Sequence, residues 1–187
     1  MPLFAGLFFA ASVSAVVSST PTLEEFEAVL RRHDSATRAL EEWCAARGLA
    51  DPARITASNL GADDRDMPRD ARRGLRLKQG DTVAVRHVGL SCGQTVLSVA
   101  WNWYLPARLT PQMNETLRSG NAPFGKVVSS LRFRRRPLET MRGRADICPD
   151  GTISTHRAVL VLPDGRPLAY LVECYTQANL RSGDNRQ

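Results

Sequence analysis

At 187 residues the chain suits one domain with a real core, and a second domain is not expected. Its 25 basic against 19 acidic residues give a formal charge of +6, too modest to argue for nucleic acid, and only Lys78 and Lys126 are lysine, so the arginine excess fits genome composition as well as function. Four cysteines without C-x-x-C spacing and three scattered histidines, His33, His87 and His156, indicate no metal site.

The first seventeen residues, MPLFAGLFFAASVSAVV, carry no charged side chain, and SVSA at Ser12 to Ala15 offers the small residues a signal peptidase needs. Residues 1–19 are therefore expected to be an apolar leader, with export to the periplasm. The run lacks a basic n-region, so a buried N-terminus in a cytoplasmic protein is the alternative. It is too short for a stable membrane span, which takes about 20 residues. In an oxidising compartment the even cysteine count permits disulfides, with Cys44 and Cys92 as one candidate pair among three connectivities; four free thiols packed as small apolar groups are the other reading.

Thr22 to Glu25 reads as a capping box, and Phe26, Val29 and Leu30 give the helix an apolar stripe. A restart is expected at His33-Asp34-Ser35, with Asp34 as N-cap for a second segment bearing Ala36, Ala39, Leu40 and Trp43 and stopped by Gly48. His33, Asp34 and Ser35 have the residue types of a hydrolase triad, but helical neighbours point about 100° apart and cannot converge on one atom. Residues 51–80 read as mostly irregular, with one short strand near Arg54 to Ala57. From Thr82 the period changes to two, and TVAVRHVGL and TVLSVAWNWYL flank a Cys92 to Gln94 turn as a hairpin ended by Pro106.

LTPQMNETLRSG predicts a short helix with Thr110 as cap and Pro111 in its first turn. NAPFGKVVSS follows, and a phenylalanine held between Pro123 and Gly125 suggests a loop that closes over something, with one more helical turn over Gly125 to Leu131. A strand is expected from Phe133 to Met141; in RFRRR, Arg132, Arg134 and Arg136 would form one solvated face. THRAVLVL and RPLAYLVECYT flank a Pro163-Asp164-Gly165 turn as a second hairpin. A flexible tail is expected over residues 181–187. These elements describe a single α+β domain, residues 20–180, whose antiparallel sheet is covered on one face by helices. Trp101, Trp103 and Leu105 share a strand face and are expected in the core.

Alternation puts Arg86 in a mainly apolar row with Ala84, Val88 and Leu90, and Glu173 in another with Ala169, Leu171 and Tyr175. A buried charge without a partner is costly, so two readings stand: the two side chains pair inside the sheet, or Arg86 holds a ligand carboxylate and Glu173 serves as acid or base in a dry pocket.

In order, VLRRHDSATRALEEW, VRHVGLSCGQTVLSVAWNWYLP, NAPFGKVVSSLRF and HRAVLVLPDGRPLAYLVECYT resemble the chorismate pyruvate-lyase family from about Phe26 to Thr176. DSATRALE is similar to the family's Asp-Ser-Met-Thr helix junction and APFGKVVSS to its Thr-Pro-Leu-Gly turn. The resemblance implies a chorismate lyase-like antiparallel sheet with flanking helices and elimination of pyruvate from chorismate to give 4-hydroxybenzoate, a ubiquinone precursor, without a cofactor. It further implies that Arg86 anchors the ring carboxylate, that Glu173 is catalytic, that Phe124 contacts the ligand as part of a flap, and that Ala36, in place of a pocket methionine, reshapes the cavity. The expected partner is a small aromatic or cyclic carboxylate, bound by a monomer, with no nucleic acid. The alternatives are a non-enzymatic binding domain of the same fold, as in the effector domains of some bacterial transcription regulators, and an exported structural protein whose site has become a salt bridge; no helix-turn-helix segment is read in the sequence.

Overall fold

The computed structural model describes residues 20–61 and 66–181, so the expected leader and all but Arg181 of the expected tail lie outside the described residues. Six strands form one antiparallel sheet in the order β1-β2-β3-β6-β5-β4: β1 Ile55–Asn59, β2 Ala84–Cys92, β3 Thr95–Tyr104, β4 Arg134–Arg142, β5 Thr152–Val161 and β6 Pro167–Thr176. The central place of β3 and β6 follows from their near-continuous apolar runs.

Helices α1 (Leu23–Arg31) and α2 (Ala36–Ala46) pack on one face through Phe26, Leu30, Leu40 and Trp43, against Val88, Leu90, Ala100 and Tyr175 of the sheet. The capping box on α1 is present, with the Thr22 hydroxyl accepting from the Glu25 amide at 3.2 Å and the Glu25 carboxylate accepting from the Thr22 amide at 2.8 Å. The cap of α2 is Ser35, not Asp34. Asp34 is drawn away from the helix because its carboxylate accepts the backbone N–H of Arg135 at 2.8 Å, a bond to the edge strand that sequence spacing does not show.

The short helix α4 (Pro111–Ser119) starts at the expected Thr110 cap and is followed by a single helical turn, α5 (Phe124–Val127). The helical turn expected over Gly125 to Leu131 is present and starts one residue earlier, at Phe124, which packs with Tyr104, Leu117 and Leu171. The opposite face of the sheet is covered too. Trp101, Trp103, Tyr170 and Val172 meet α3 (Arg69–Gly74) and the segment around Cys148. Helix α3 went unread because its sequence is charged and its cap, Pro68, offers no side-chain acceptor, so only Ala71 and Leu75, four apart, mark its buried side. Gly74 allows its close approach: a Cβ there would sit 3.1 Å from Val159 Cγ2.

The cysteines form two disulfides, Cys44–Cys92 and Cys148–Cys174, rather than packing as free thiols. The first ties α2 to the end of β2, and the second ties the 145–148 segment to β6 beside Glu173. No helix among the described residues is long and apolar enough to cross a membrane. Loops of 48 and 26 residues are closed, so loss of either bridge is expected to cost about 2 to 4 kcal/mol. Denaturant titration with and without reductant measures this. Alkylation of four thiols in the unreduced, unfolded protein would contradict both bridges.

Candidate functional site

A cavity of about 30 Å³, room for about two waters, lies between the start of α2, α5 and the sheet. Counting its mouth, the empty space is about 390 Å³. Its lining is mainly apolar: Val88 and Leu90 from β2, Ala100 from β3, Leu160 and Leu171 from β5 and β6, with Phe124 and Phe133. Gly125 lets α5 lie against the first residues of α2, since a Cβ there would meet Ser35 Oγ at 2.6 Å and Thr37 Oγ1 at 3.3 Å.

Three of the four site residues read from sequence, Ala36, Phe124 and Glu173, line this cavity; Arg86 does not. Its guanidinium points to the segment before α5, where Nη2 donates to the carbonyls of Gly120 at 3.1 Å and Ala122 at 3.2 Å, and Nη1 is buried without a hydrogen-bond partner. Burial lowers its pKa, with the nearby Tyr104 opposing the shift. Arg86 and Glu173 therefore do not pair with each other, contrary to the first of the two readings.

The partner of Glu173 is Arg135. Nη1 donates to Oε1 at 3.1 Å, Nη2 donates to Oε2, and the Tyr175 hydroxyl donates to Oε2 at 3.1 Å. Glu173 is only 3 % exposed. Burial works to raise its pKa, but the Arg135 charge and hydrogen bonds, with His156 and the Tyr175 hydroxyl, more than offset it and hold the carboxyl below its ordinary value. Burial drives the Tyr175 phenol well up. Arg135 escaped the sequence reading because it sits inside an arginine run; alternation in RFRRR sets it opposite Arg134 and Arg136, which was the available signal. The expected solvated face shrinks to Arg134 and Arg136, since Arg132 precedes the strand in a left-handed turn with φ 51°.

A second buried set adjoins this pair. His156 lies opposite Glu173 in the ladder and contacts Ser154 Oγ at 3.1 Å, while the Ser154 hydroxyl donates to Glu27 Oε1 at 2.9 Å. The serine has one hydrogen and gives it to Glu27, so His156 Nε2 is the donor to Ser154. Burial lowers the His156 pKa, opposed by Glu173. Asn102 and Thr37 also line the cavity, each 5 % exposed. No group of three or more His, Cys, Asp or Glu among the described residues is placed to hold a metal.

No family model matches the chain. It is 34% identical over 179 residues to the uncharacterized protein y4mC of Sinorhizobium fredii (strain NBRC 101917 / NGR234), covering 86% of this chain and 76% of that one. The chain belongs to the y4mC family. Among solved structures, the effector domain of PhnF from Mycobacterium smegmatis superposes with a TM-score of 0.55 at 15% identity, over 77% of this chain and 89% of that domain. PhnF itself gives 0.56 at 16% identity over 80% of this chain, which spans 66% of PhnF. At these identities the likeness is one of fold, and that fold is the chorismate lyase-like α+β sheet with flanking helices.

Removing one member of the buried pair leaves the other charge alone, so Arg135→Met or Glu173→Gln is expected to destabilise the fold by about 3 to 5 kcal/mol, with the double variant recovering part of the loss. Both Glu173 and His156 have folded pKa values below their ordinary 4.5 and 6.5. A depressed pKa means the unfolded chain binds the proton first, so stability is full above about pH 6.5 and falls as the pH drops, first through the histidine and then below 4.5 through the glutamate. Denaturation midpoints across this range check it. A flat curve down to pH 4, on the order of the glutamate's ordinary value, would contradict it.

Proposed function

We propose that this domain binds a small ring-bearing carboxylate in the cavity beneath α2 and α5. The observation that carries the reading is a mainly apolar lining on which a few polar side chains, Thr37, Asn102 and the Arg135–Glu173 pair, converge. A mostly apolar pocket with a few convergent polar groups is the usual form of a small-molecule site. The likeness in fold to an effector domain supports the same reading by analogy.

Elimination of pyruvate from chorismate is the second reading, favoured by the place of Glu173 on the cavity wall. Binding without turnover ranks above it, because Glu173 accepts two hydrogen bonds from Arg135 and one from Tyr175 and is held ionised. A carboxylate in that state has no proton to give at neutral pH and is a weak base. The two disulfides support the exported location that residues 1–19 suggest. Mass spectrometry of protein from its host is accordingly expected to find residues 1–15 removed, and an intact Met1 in the cytosolic fraction would contradict export.

Calorimetric titration with 4-hydroxybenzoate, beside chromatography of a chorismate incubation, tests the function. Saturable binding with no pyruvate formed is expected. Release of both pyruvate and 4-hydroxybenzoate would establish the lyase instead, and failure to bind either compound would remove the small-carboxylate reading.

A further inference from the structure

The charges lining the inner cavity do not suit an anion. Arg135 is the one cation there among the described residues, against Glu173 and Asp34, and its guanidinium is already committed to Glu173. Arg86, the expected carboxylate anchor, lies outside the lining and spends Nη2 on two carbonyls. A second, open cleft of about 370 Å³ adjoins the cavity and shares Asp34, Ser35, Gly125 and Phe133 with it, so the two spaces meet at that neck.

This outer cleft is basic. Arg32, Arg38 and Arg132 line it. Arg32 is paired with Glu42, whereas Arg38 and Arg132 form no ion pair among the described residues. Arg38 stands in the first turn of α2, immediately after the residues that line the inner cavity, and Arg132 stands just before Phe133, which lines both spaces. Two guanidinium groups without an ion pair among the described residues thus flank the mouth of a mainly apolar cavity whose own lining carries a net negative charge.

The geometry points to a ligand seated ring inward and carboxylate outward, with Arg38 and Arg132 as the groups that select for the anion. This rests on the binding reading above and adds the orientation and the specificity-determining residues. The ring and its hydroxyl meet Asn102 and Thr37, and the carboxylate avoids Glu173 and receives charge-assisted hydrogen bonds at the rim. Rim charges also steer an anionic ligand toward the opening, an effect that weakens as salt rises.

The test compares 4-hydroxybenzoate with its neutral isostere 4-hydroxybenzamide by calorimetry, for the native protein, Arg38→Gln, Arg132→Asn and the double variant. Asparagine is chosen at 132 because it tolerates the left-handed backbone there. The native protein is expected to prefer the benzoate. Each single variant should lose part of that preference, and the double variant should lose roughly tenfold in benzoate affinity while the benzamide affinity and the denaturation midpoint stay unchanged. Should the benzoate preference persist in the double variant, or should the native protein prefer the amide, the rim is not the anchor and the proposal falls while binding itself stands. If the native protein binds neither probe, the binding reading falls and takes the orientation with it.

Discussion

A carboxylate placed at the centre of an apolar sheet stays ionised only if a cation comes to it, and the Glu173–Arg135 pair is the contact on which the site depends. It joins the central strand β6 to the edge strand β4 across β5, so the edge cannot drift without exposing or orphaning a charge. The backbone of the same arginine is held by Asp34, in the junction between α1 and α2. One residue therefore locks the sheet to the helical layer at the place where the cavity opens.

The cavity follows from that lock. With the α1–α2 junction fixed by Asp34 and the far end of α2 tied to β2 by Cys44–Cys92, the start of α2 stands over the sheet instead of collapsing onto it. Gly125 brings α5 in against Ser35 and Thr37, and Arg86 holds the carbonyls that lead into that turn. Arg86 thus has a structural task in this chain, anchoring the segment that roofs the pocket.

Much of the fold was legible in the sequence because local rules and tertiary packing agree there. Both hairpins, the α1 capping box and the Thr110 cap of α4 rest on period, turn and cap chemistry that act over a few residues. Alternation also found Glu173, since an acid in the row Ala169, Leu171, Tyr175 has to be explained. What it could not supply was the partner. Arg86 and Arg135 both stand in inward rows, and the choice between them is set by strand order, with β6 between β3 and β5, which no local pattern records. The same limit hid the role of Asp34, a good helix cap by composition that a distant backbone N–H captures. Helix α3 was missed for the opposite reason: its six residues are held by packing on Val159 and Tyr170 more than by any propensity of their own.

The central claim, that the mainly apolar cavity between α2, α5 and the sheet is a ligand site, is tested most directly by a crystal structure of the protein with 3-iodo-4-hydroxybenzoate and its anomalous difference map. The account predicts the iodine peak among Leu171, Ala100 and Phe124, with Phe124 or Phe133 displaced and the carboxylate toward Arg38 and Arg132. A peak beside Arg86 with the inner cavity unchanged, or no peak in that cavity at saturating ligand, would contradict it.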